Sequence, residues 1–245
     1  MAVIIPNGPE LALVLLACFA YSTAAPLDCT MTEAELVDAF EQLQVNHVVS
    51  MRGHKGYDDN ILGAAKSAGF RLGKKIALHY IVNDISKAGA FVWSDATALD
   101  SSVGSVGSDA TVNGPEDVAL MLRTSGTTSK PKIVPCSLGG ILLGAKCISS
   151  ELGLKPTDRT LNVMPLTHIG GISSSLLSTL VSGGTVRCTP GFNPGLFGGW
   201  ITTAPEPNWY YAAPTIHSAV LLACPDPGDH KLRLIRSGAA EDTNE

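Results

Sequence analysis

Apolar and polar residues alternate in blocks along this chain, and the blocks predict short strands each followed by a helix. Residues 3–5 form an apolar, β-prone run, Pro6-Asn7-Gly8 reads as a turn, and Pro9-Glu10 opens a helix that stays apolar to about residue 20. Thr32-Glu33-Ala34-Glu35 has the spacing of a capping box, Leu36, Phe40 and Leu43 recur behind it at helical intervals, and residues 47–50 supply the next strand. Residues 58–68 read as a helix, and 75–81 and 90–93 as strands. The alternation resumes with strands over 118–122, 158–164, 185–188, 209–212 and 232–235. Helices are expected among these strands: one capped by Ser137 and running to about residue 152, with Ile141, Leu142, Ala145 and Ile148 on its apolar face; one ending near Ser182-Gly183-Gly184; one from Pro214-Thr215 through Cys224. Such alternation specifies an α/β fold of mostly parallel sheets layered with helices. Residues 101–116 interrupt it with serine, glycine and a Gly114-Pro115 pair. This connector reads as a surface excursion and not a boundary, so residues 1–245 are taken as part of one domain.

Polar positions cluster most densely directly after the strand at 118–122, in Thr124-Ser125-Gly126-Thr127-Thr128-Ser129-Lys130-Pro131-Lys132. Gly126 lets the backbone turn where a Cβ would clash, so successive N–H groups can converge on one anion. The hydroxyls of Thr124, Ser125, Thr127, Thr128 and Ser129 add neutral donors, and Lys130 and Lys132 add positive charge. A triphosphate is the ligand that uses all three. A Walker A loop needs Gly-x-x-x-x-Gly-Lys-Ser/Thr, and nothing after Gly126 supplies the second glycine. Ser129-Lys130-Pro131-Lys132 fits the Ser-x-x-Lys of penicillin-binding enzymes, but the partner motifs Ser-Asp-Asn and Lys-Thr-Gly are absent. The plain alternative is a hydroxyl-rich surface turn.

Three further stretches carry candidate chemistry. His168 follows the strand at 158–164 within Pro165-Leu166-Thr167-His168-Ile169-Gly170-Gly171, at the sheet edge where open α/β folds bind ligands; a histidine held there by packing is the competing reading. His217 falls in the first turn of the helix after Pro214, where packing is the commoner role, and Trp209, Tyr210 and Tyr211 read as core. Ser237-Gly238-Ala239-Ala240 is a small-residue turn that would let a flat ring lie against the backbone.

The stretch from Thr124 to Lys132 resembles the signature loop of the AMP-binding, adenylate-forming superfamily: acyl-CoA synthetases, luciferases and the adenylation domains of peptide synthetases. Other stretches resemble its acid:CoA ligase branch, most of all the oxalyl-CoA synthetase-like members. They are Ile5-Pro6-Asn7-Gly8-Pro9-Glu10-Leu11, Ala24-Ala25-Pro26-Leu27, residues 164–171, Trp209 to His217, and Leu232 to Ala240. Ile133 departs from the glycine usual after the signature lysine, and Thr167 from the aromatic usual before the histidine. The resemblance implies that Thr124, Ser125, Gly126, Thr127, Thr128, Ser129 and Lys132 bind the phosphates of ATP, with Mg²⁺ neutralising charge. It also implies that Gly238, Ala239 and Ala240 contact adenine, and that His168, Gly170 and His217 border the acid, with Lys132 and His168 as the catalytic pair.

The activity implied is that of an ATP-dependent ligase, which makes an acyl-adenylate from a small carboxylic acid and passes the acyl group to coenzyme A. A nucleotide-binding remnant without activity, and an adenylation domain feeding a carrier protein, are the alternatives. The family's Tyr-Gly-x-Thr-Glu motif, ribose-binding aspartate, hinge and lysine-bearing small domain have no counterpart in these residues. The chain is therefore expected to be an incomplete large N-terminal domain, inactive alone, with its strands at 3–5 and 232–235 lacking sheet neighbours.

Composition narrows the partners. Apolar residues make up 45% of the chain, ample for a core, and a net charge of −5 without a basic stripe argues against a nucleic-acid surface. The apolar run from Leu11 to Ala20 is about half the length that spans a bilayer, and no Lys or Arg precedes it as a signal peptide would require. Cys18, Cys29, Cys136, Cys147, Cys188 and Cys224 lack zinc-site spacing and read as reduced, mostly buried thiols of a cytosolic protein, with a peroxisomal location left open.

Overall fold

The computed structural model describes residues 1–51, 58–83, 91–95, 111–124, 131–226 and 228–238. It forms two compact units, one of Met1–Pro6 with Leu13–Leu138 and one of Asn7–Ala12 with Gly139–Glu245. The division falls at Leu138 and not in the serine- and glycine-rich connector, of which residues 101–110 lie outside the described ones.

In the first unit, strands β1 (Ala2–Ile4), β2 (Ala25–Pro26), β3 (His47–Met51), β4 (Ala77–Asn83) and β5 (Phe91–Asp95) form one sheet in the order β2-β1-β3-β4-β5. All pairings are parallel except β4 with β5, which is antiparallel. The opening strand was expected to lack neighbours; β1 instead lies inside the sheet, between β2 and β3. Helix α1 (Pro9–Tyr21) starts at the proline, as its fixed φ favours, and Asn113 closes its far end by donating from Nδ2 to the carbonyls of Phe19 (3.0 Å) and Ser22 (2.8 Å). Helix α2 (Glu33–Gln42) starts at the expected capping box: the Thr32 hydroxyl accepts from the Glu35 amide, and the Glu35 carboxylate accepts from the Thr32 amide at 2.8 Å. Its apolar face, Leu36, Val37, Ala39 and Phe40, packs with Ile61, Ala64 and Ala68 of α3 (Asp58–Leu72) onto Ile4 and Val48. Each large side chain buried there contributes about 1.5–3 kcal/mol.

A hairpin of β6 (Val118–Arg123) and β7 (Ile133–Ser137) completes this unit. It joins the sheet through Ala24, whose amide donates to Ala119 (2.8 Å) and whose carbonyl accepts from Met121 (2.8 Å). Strand β7 is a correction to the expectation of a loop leading straight to a helix. Ser137 ends that strand, and α4 (Leu138–Glu151) begins immediately after it.

The second unit holds an all-parallel sheet of β8 (Arg159–Asn162), β9 (Thr185–Cys188), β10 (Trp209–Ala212) and β11 (Leu234–Ser237), in the order β11-β10-β8-β9. Strand β8 is shorter than expected, and β11 begins two residues later, just after Arg233. Its guanidinium pairs with buried Asp158, Nε donating to Oδ1 at 2.9 Å and Nη2 to Oδ2. Asn208 adds a donor to Asp158 Oδ1 (2.8 Å) and accepts from the Arg159 amide (2.9 Å). Asp158, Asn208 and Arg233 thus tie together the starts of β8, β10 and β11. The arginine beside it holds the Asp158 carboxyl below the usual carboxylate range.

After β8 the chain enters a π-helical turn, Gly170–Leu177, in which the Ser178 amide reaches back to the Ser173 carbonyl, and continues as α5 (Ser178–Val181). Helix α6 (Pro194–Thr202), capped by the Asn193 carboxamide on the amides of Gly195 and Leu196, had no counterpart among the expected elements. Helix α7 (Pro214–Ala223) follows β10 as expected. Phe197 and Ile201 of α6 pack on Leu161, Val163, Trp209, Tyr210 and Tyr211, confirming the three aromatics as core. Among the six cysteines, all free thiols, only Cys18 is fully buried and Cys147 is exposed, which corrects the expectation that most are buried. No helix among the described residues is long and apolar enough to cross a membrane.

Candidate active site

In the first unit, the candidate phosphate loop falls in the sequence between β6 and β7, and of its residues only Thr124, Pro131 and Lys132 are among the described ones. Its neck is closed by two bonds between the same residues: the Thr124 amide donates to the Lys132 carbonyl at 2.9 Å, and the Lys132 amide donates to Thr124 Oγ1 at 3.1 Å. Gln42, the last residue of α2, braces the neck from outside. It accepts from Arg123 Nε at 3.2 Å and donates to the Pro131 carbonyl. Thr124 and Lys132 are exposed. Ser125, Gly126, Thr127, Thr128, Ser129 and Lys130 lie outside the described residues.

The second unit places three motifs at one sheet edge. Because β8, β9, β10 and β11 are parallel, their C-terminal ends share an edge, and from it leave the loops bearing His168, Thr189 and Gly238 and helix α7 bearing His217. The His168 loop is fixed by its backbone. The His168 amide donates to the Pro165 carbonyl (3.3 Å), and Gly171 lies so close to that carbonyl that a Cβ would stand 2.2 Å from its oxygen. Leu166 is fully buried, while His168, two residues on, is exposed.

Tyr211 sits under this edge. A Cβ on Gly170 would stand 3.1 Å from its ring and hydroxyl, and one on Gly238 would stand 3.3 Å from the opposite ring edge. Glycine at both positions lets two loops close on one phenol. Burial pushes the phenol above its ordinary pKa, while Arg236, 5.0 Å from the ring centroid, and Ser174, hydrogen-bonded to it, pull the other way.

His217 has both ring nitrogens engaged. Nε2 lies 3.1 Å from the Ala212 carbonyl, which can only accept, so this nitrogen carries the proton, and in the neutral ring Nδ1, 3.0 Å from the Tyr210 hydroxyl, accepts from it. Gly238 donates its amide to the Ala212 carbonyl at 3.2 Å, whereas Ala239 and Ala240 lie outside the described residues. Cys188 ends β9 at the same edge. Burial, and then the Glu10 carboxylate, push its pKa up to about 11, so it stays a thiol at neutral pH and offers no nucleophile.

Asn7, Gln42 and Tyr211, none of them a candidate site residue in the sequence, each touch one of these stretches: Asn7 bonds Leu166 and Thr189, Gln42 bonds Arg123 and Pro131, and Tyr211 lies against Gly170 and Gly238. Asn7 looked like a turn former between Pro6 and Gly8, and Gln42 and Tyr211 carried no local signal beyond helix and core. Among the described residues no group of three or more His, Cys, Asp and Glu side chains stands together to hold a metal ion, so no side chain is assigned to magnesium. A cavity of about 920 Å³ in the first unit, lined by Leu62, Phe70, Lys74 and His79 among others, touches none of the motif residues.

Comparison with known proteins follows the same lines. A family model described as AMP-binding enzyme matches residues 1–243. The chain is 31% identical to an acyl-CoA synthetase of Alternaria alternata and 32% identical to an oxalate–CoA ligase of Arabidopsis thaliana, each match covering 98% of this chain and 45% of the relative. It therefore spans under half the length of these relatives. Among solved structures, ATP-bound MatB from Rhodopseudomonas palustris matches with a TM-score of 0.69 at 20% identity, over 98% of this chain and 44% of that one. The o-succinylbenzoate CoA synthetase of Bacillus subtilis, in complex with ATP and a magnesium ion, matches with a TM-score of 0.71 at 19% identity, over 97% and 44%. At these identities the two structures support the fold alone.

Proposed function

This chain belongs to the AMP-binding enzyme family, and on that premise we propose that it serves an ATP-dependent acid:CoA ligase acting on a small carboxylic acid. The observation that carries this reading is the shared edge of the second unit, where the His168 loop and Gly238 close on Tyr211 from two sides.

In the reaction a carboxylate oxygen forms a bond to the α-phosphorus of ATP, the bond from that phosphorus to the bridging oxygen breaks, and pyrophosphate leaves with the electron pair. The sulfur of coenzyme A, losing its proton to solvent, then bonds to the acyl carbon, the bond from that carbon to the phosphate oxygen breaks, and AMP leaves with the electron pair. Several negative charges must be held close together, so binding and charge stabilisation carry the catalysis. Lys132 supplies a cation to the β- and γ-phosphates at a neck kept narrow by Thr124 and Gln42. Magnesium, when bound to the nucleotide, neutralises phosphate charge. His168 borders the acid, with Thr167 making that wall smaller and more polar than an aromatic would. Gly170 leaves room beside Tyr211, Gly238 opens the turn assigned to adenine, and His217 holds the edge by its bonds to Tyr210 and Ala212.

The test is acid-dependent pyrophosphate release by the protein extended to the length of its matching relatives, over a panel of small carboxylic acids, with coenzyme A and a carrier protein offered as acyl acceptors. Turnover with short or polar acids and transfer to coenzyme A are expected. ATP binding without release of pyrophosphate for any acid would leave a nucleotide-binding protein and refute the ligase.

A further inference from the structure

We infer that Asn7 is a positioning residue for the acid-binding loop: by holding the Leu166 amide and the Thr189 carbonyl at once, it sets where Thr167 and His168 stand. The inference rests on the acid-binding reading of that loop. Both ends of the Asn7 carboxamide are used. Oδ1 accepts from the Leu166 amide at 2.9 Å, and Nδ2 donates to the Thr189 carbonyl at 2.9 Å. The partners lie 159 and 182 residues away in the chain, so neither bond is the local turn-making common for asparagine.

The two partners belong to the loops leaving adjacent strands. Leu166 follows β8 and Thr189 follows β9, and these strands are paired in parallel register from Arg159 with Thr185 to Asn162 with Cys188. Buried Thr189 in turn donates its hydroxyl to the Asn162 carbonyl at 2.9 Å. Asn7, Thr189 and Asn162 therefore form a chain of hydrogen bonds across the ends of both strands, with the Leu166 amide as its last link.

That link matters because Leu166 is fully buried, and its amide needs a partner where water does not reach. The turn beyond it is already closed by the His168 amide on the Pro165 carbonyl. Its internal shape is thus fixed by its own backbone, and its placement over the sheet edge is fixed by Asn7. Alanine at position 7 would remove the acceptor and the donor together. Aspartate would keep the acceptor for Leu166 and turn a carboxylate oxygen toward the Thr189 carbonyl.

The experiment compares Asn7→Ala and Asn7→Asp with the unaltered protein by amide hydrogen exchange in this chain and by acid-dependent pyrophosphate release in the protein extended to the length of its relatives. In Asn7→Ala the Leu166 amide should lose protection while the amides of β8 and β10 keep theirs. The KM for the acid should rise about tenfold with the KM for ATP unchanged, since small misplacements at a reacting group are costly. Asn7→Asp should recover part of the Leu166 protection and part of the acid KM. Unchanged protection at Leu166, equal losses in the acid and ATP KM values, or a general loss of protection across the second unit in both variants would overturn the inference. If the unaltered extended protein shows no acid-dependent turnover, the ligase reading fails on its own, and the exchange at Leu166 still decides whether Asn7 places the loop.

Discussion

Gly170 packs its backbone against Tyr211 so closely that a Cβ at position 170 would stand 3.1 Å from the ring and from the hydroxyl. At Gly171 the same atom would stand 2.2 Å from the Pro165 carbonyl oxygen, a backbone atom that cannot rotate away. The two adjacent glycines should therefore respond differently to alanine. At Gly170 a shift of the phenol by a few tenths of an ångström accommodates the methyl, and the helix-propensity gain of about 1 kcal/mol offsets the crowding. At Gly171 the strand-end loop itself must move, at a cost of roughly 3 kcal/mol. Thermal unfolding of Gly170→Ala and Gly171→Ala checks this, and similar melting temperatures for both would count against it.

Lys132→Ala should weaken ATP binding about 10- to 100-fold, the scale of a hydrogen bond to a charged group, and more than Lys130→Ala does. Thr124→Val removes the acceptor for the Lys132 amide without touching charge and should weaken ATP several-fold by loosening the neck. Calorimetric titration of the three variants with ATP gives the order, and a Lys130 effect equal to that of Lys132 would sink the assignment.

His168→Ala should change which acids are used, raising the KM for the preferred acid, while ATP affinity stays within about twofold, because the exposed ring lies in a loop separate from the β6–β7 hairpin. Short or polar acids should remain the best substrates. Steady-state kinetics of the protein extended to the length of its relatives, over an acid series, provides the comparison, and preference for long-chain acids in the unaltered extended protein would contradict the polar wall at Thr167.

The Asp158–Arg233 pair predicts acid sensitivity with a definite sign. The folded carboxyl titrates below its unfolded value of about 3.9, so its stabilising contribution is fully present above that pH and is lost as pH falls through the folded value. Asp158→Asn should lower stability near neutral pH by about 2 kcal/mol, less than the 3–5 kcal/mol of a fully buried pair because the Arg233 side chain is 42% exposed. It should also flatten the dependence of the unfolding midpoint between about pH 5 and pH 2. Urea unfolding across that range measures both, and an undiminished slope in the variant would assign the acid sensitivity to other groups.

Much of the α/β order could be read from local signals. The capping box at Thr32 and Glu35, the prolines opening α1 and α7, and the aromatic strand at Trp209 each act within one or two turns of their own residues, so the chain announces them. Strand β7 was hidden because Pro131 and Pro135 flank its apolar start and Ser137 suggested a cap. Helix α6 was hidden by Gly195, Gly198 and Gly199, although Asn193-Pro194 carried a start signal. The motif residues His168, Lys132 and Gly238 were legible as types at given spacings. Their supports were not, because Asn7 meets Leu166 across the chain and Tyr211 meets Gly170 and Gly238 only once the strands lie side by side.

The strands of the second sheet are pinned where they begin, by Asp158, Asn208 and Arg233, and open where they end, at the loops carrying His168 and Gly238. Alignment and recognition are thereby entrusted to opposite rims of one sheet. On the ligase reading, replacements in the loops would alter which acid is accepted without disturbing how the strands are matched to one another, so a descendant of this protein would change diet while keeping its skeleton.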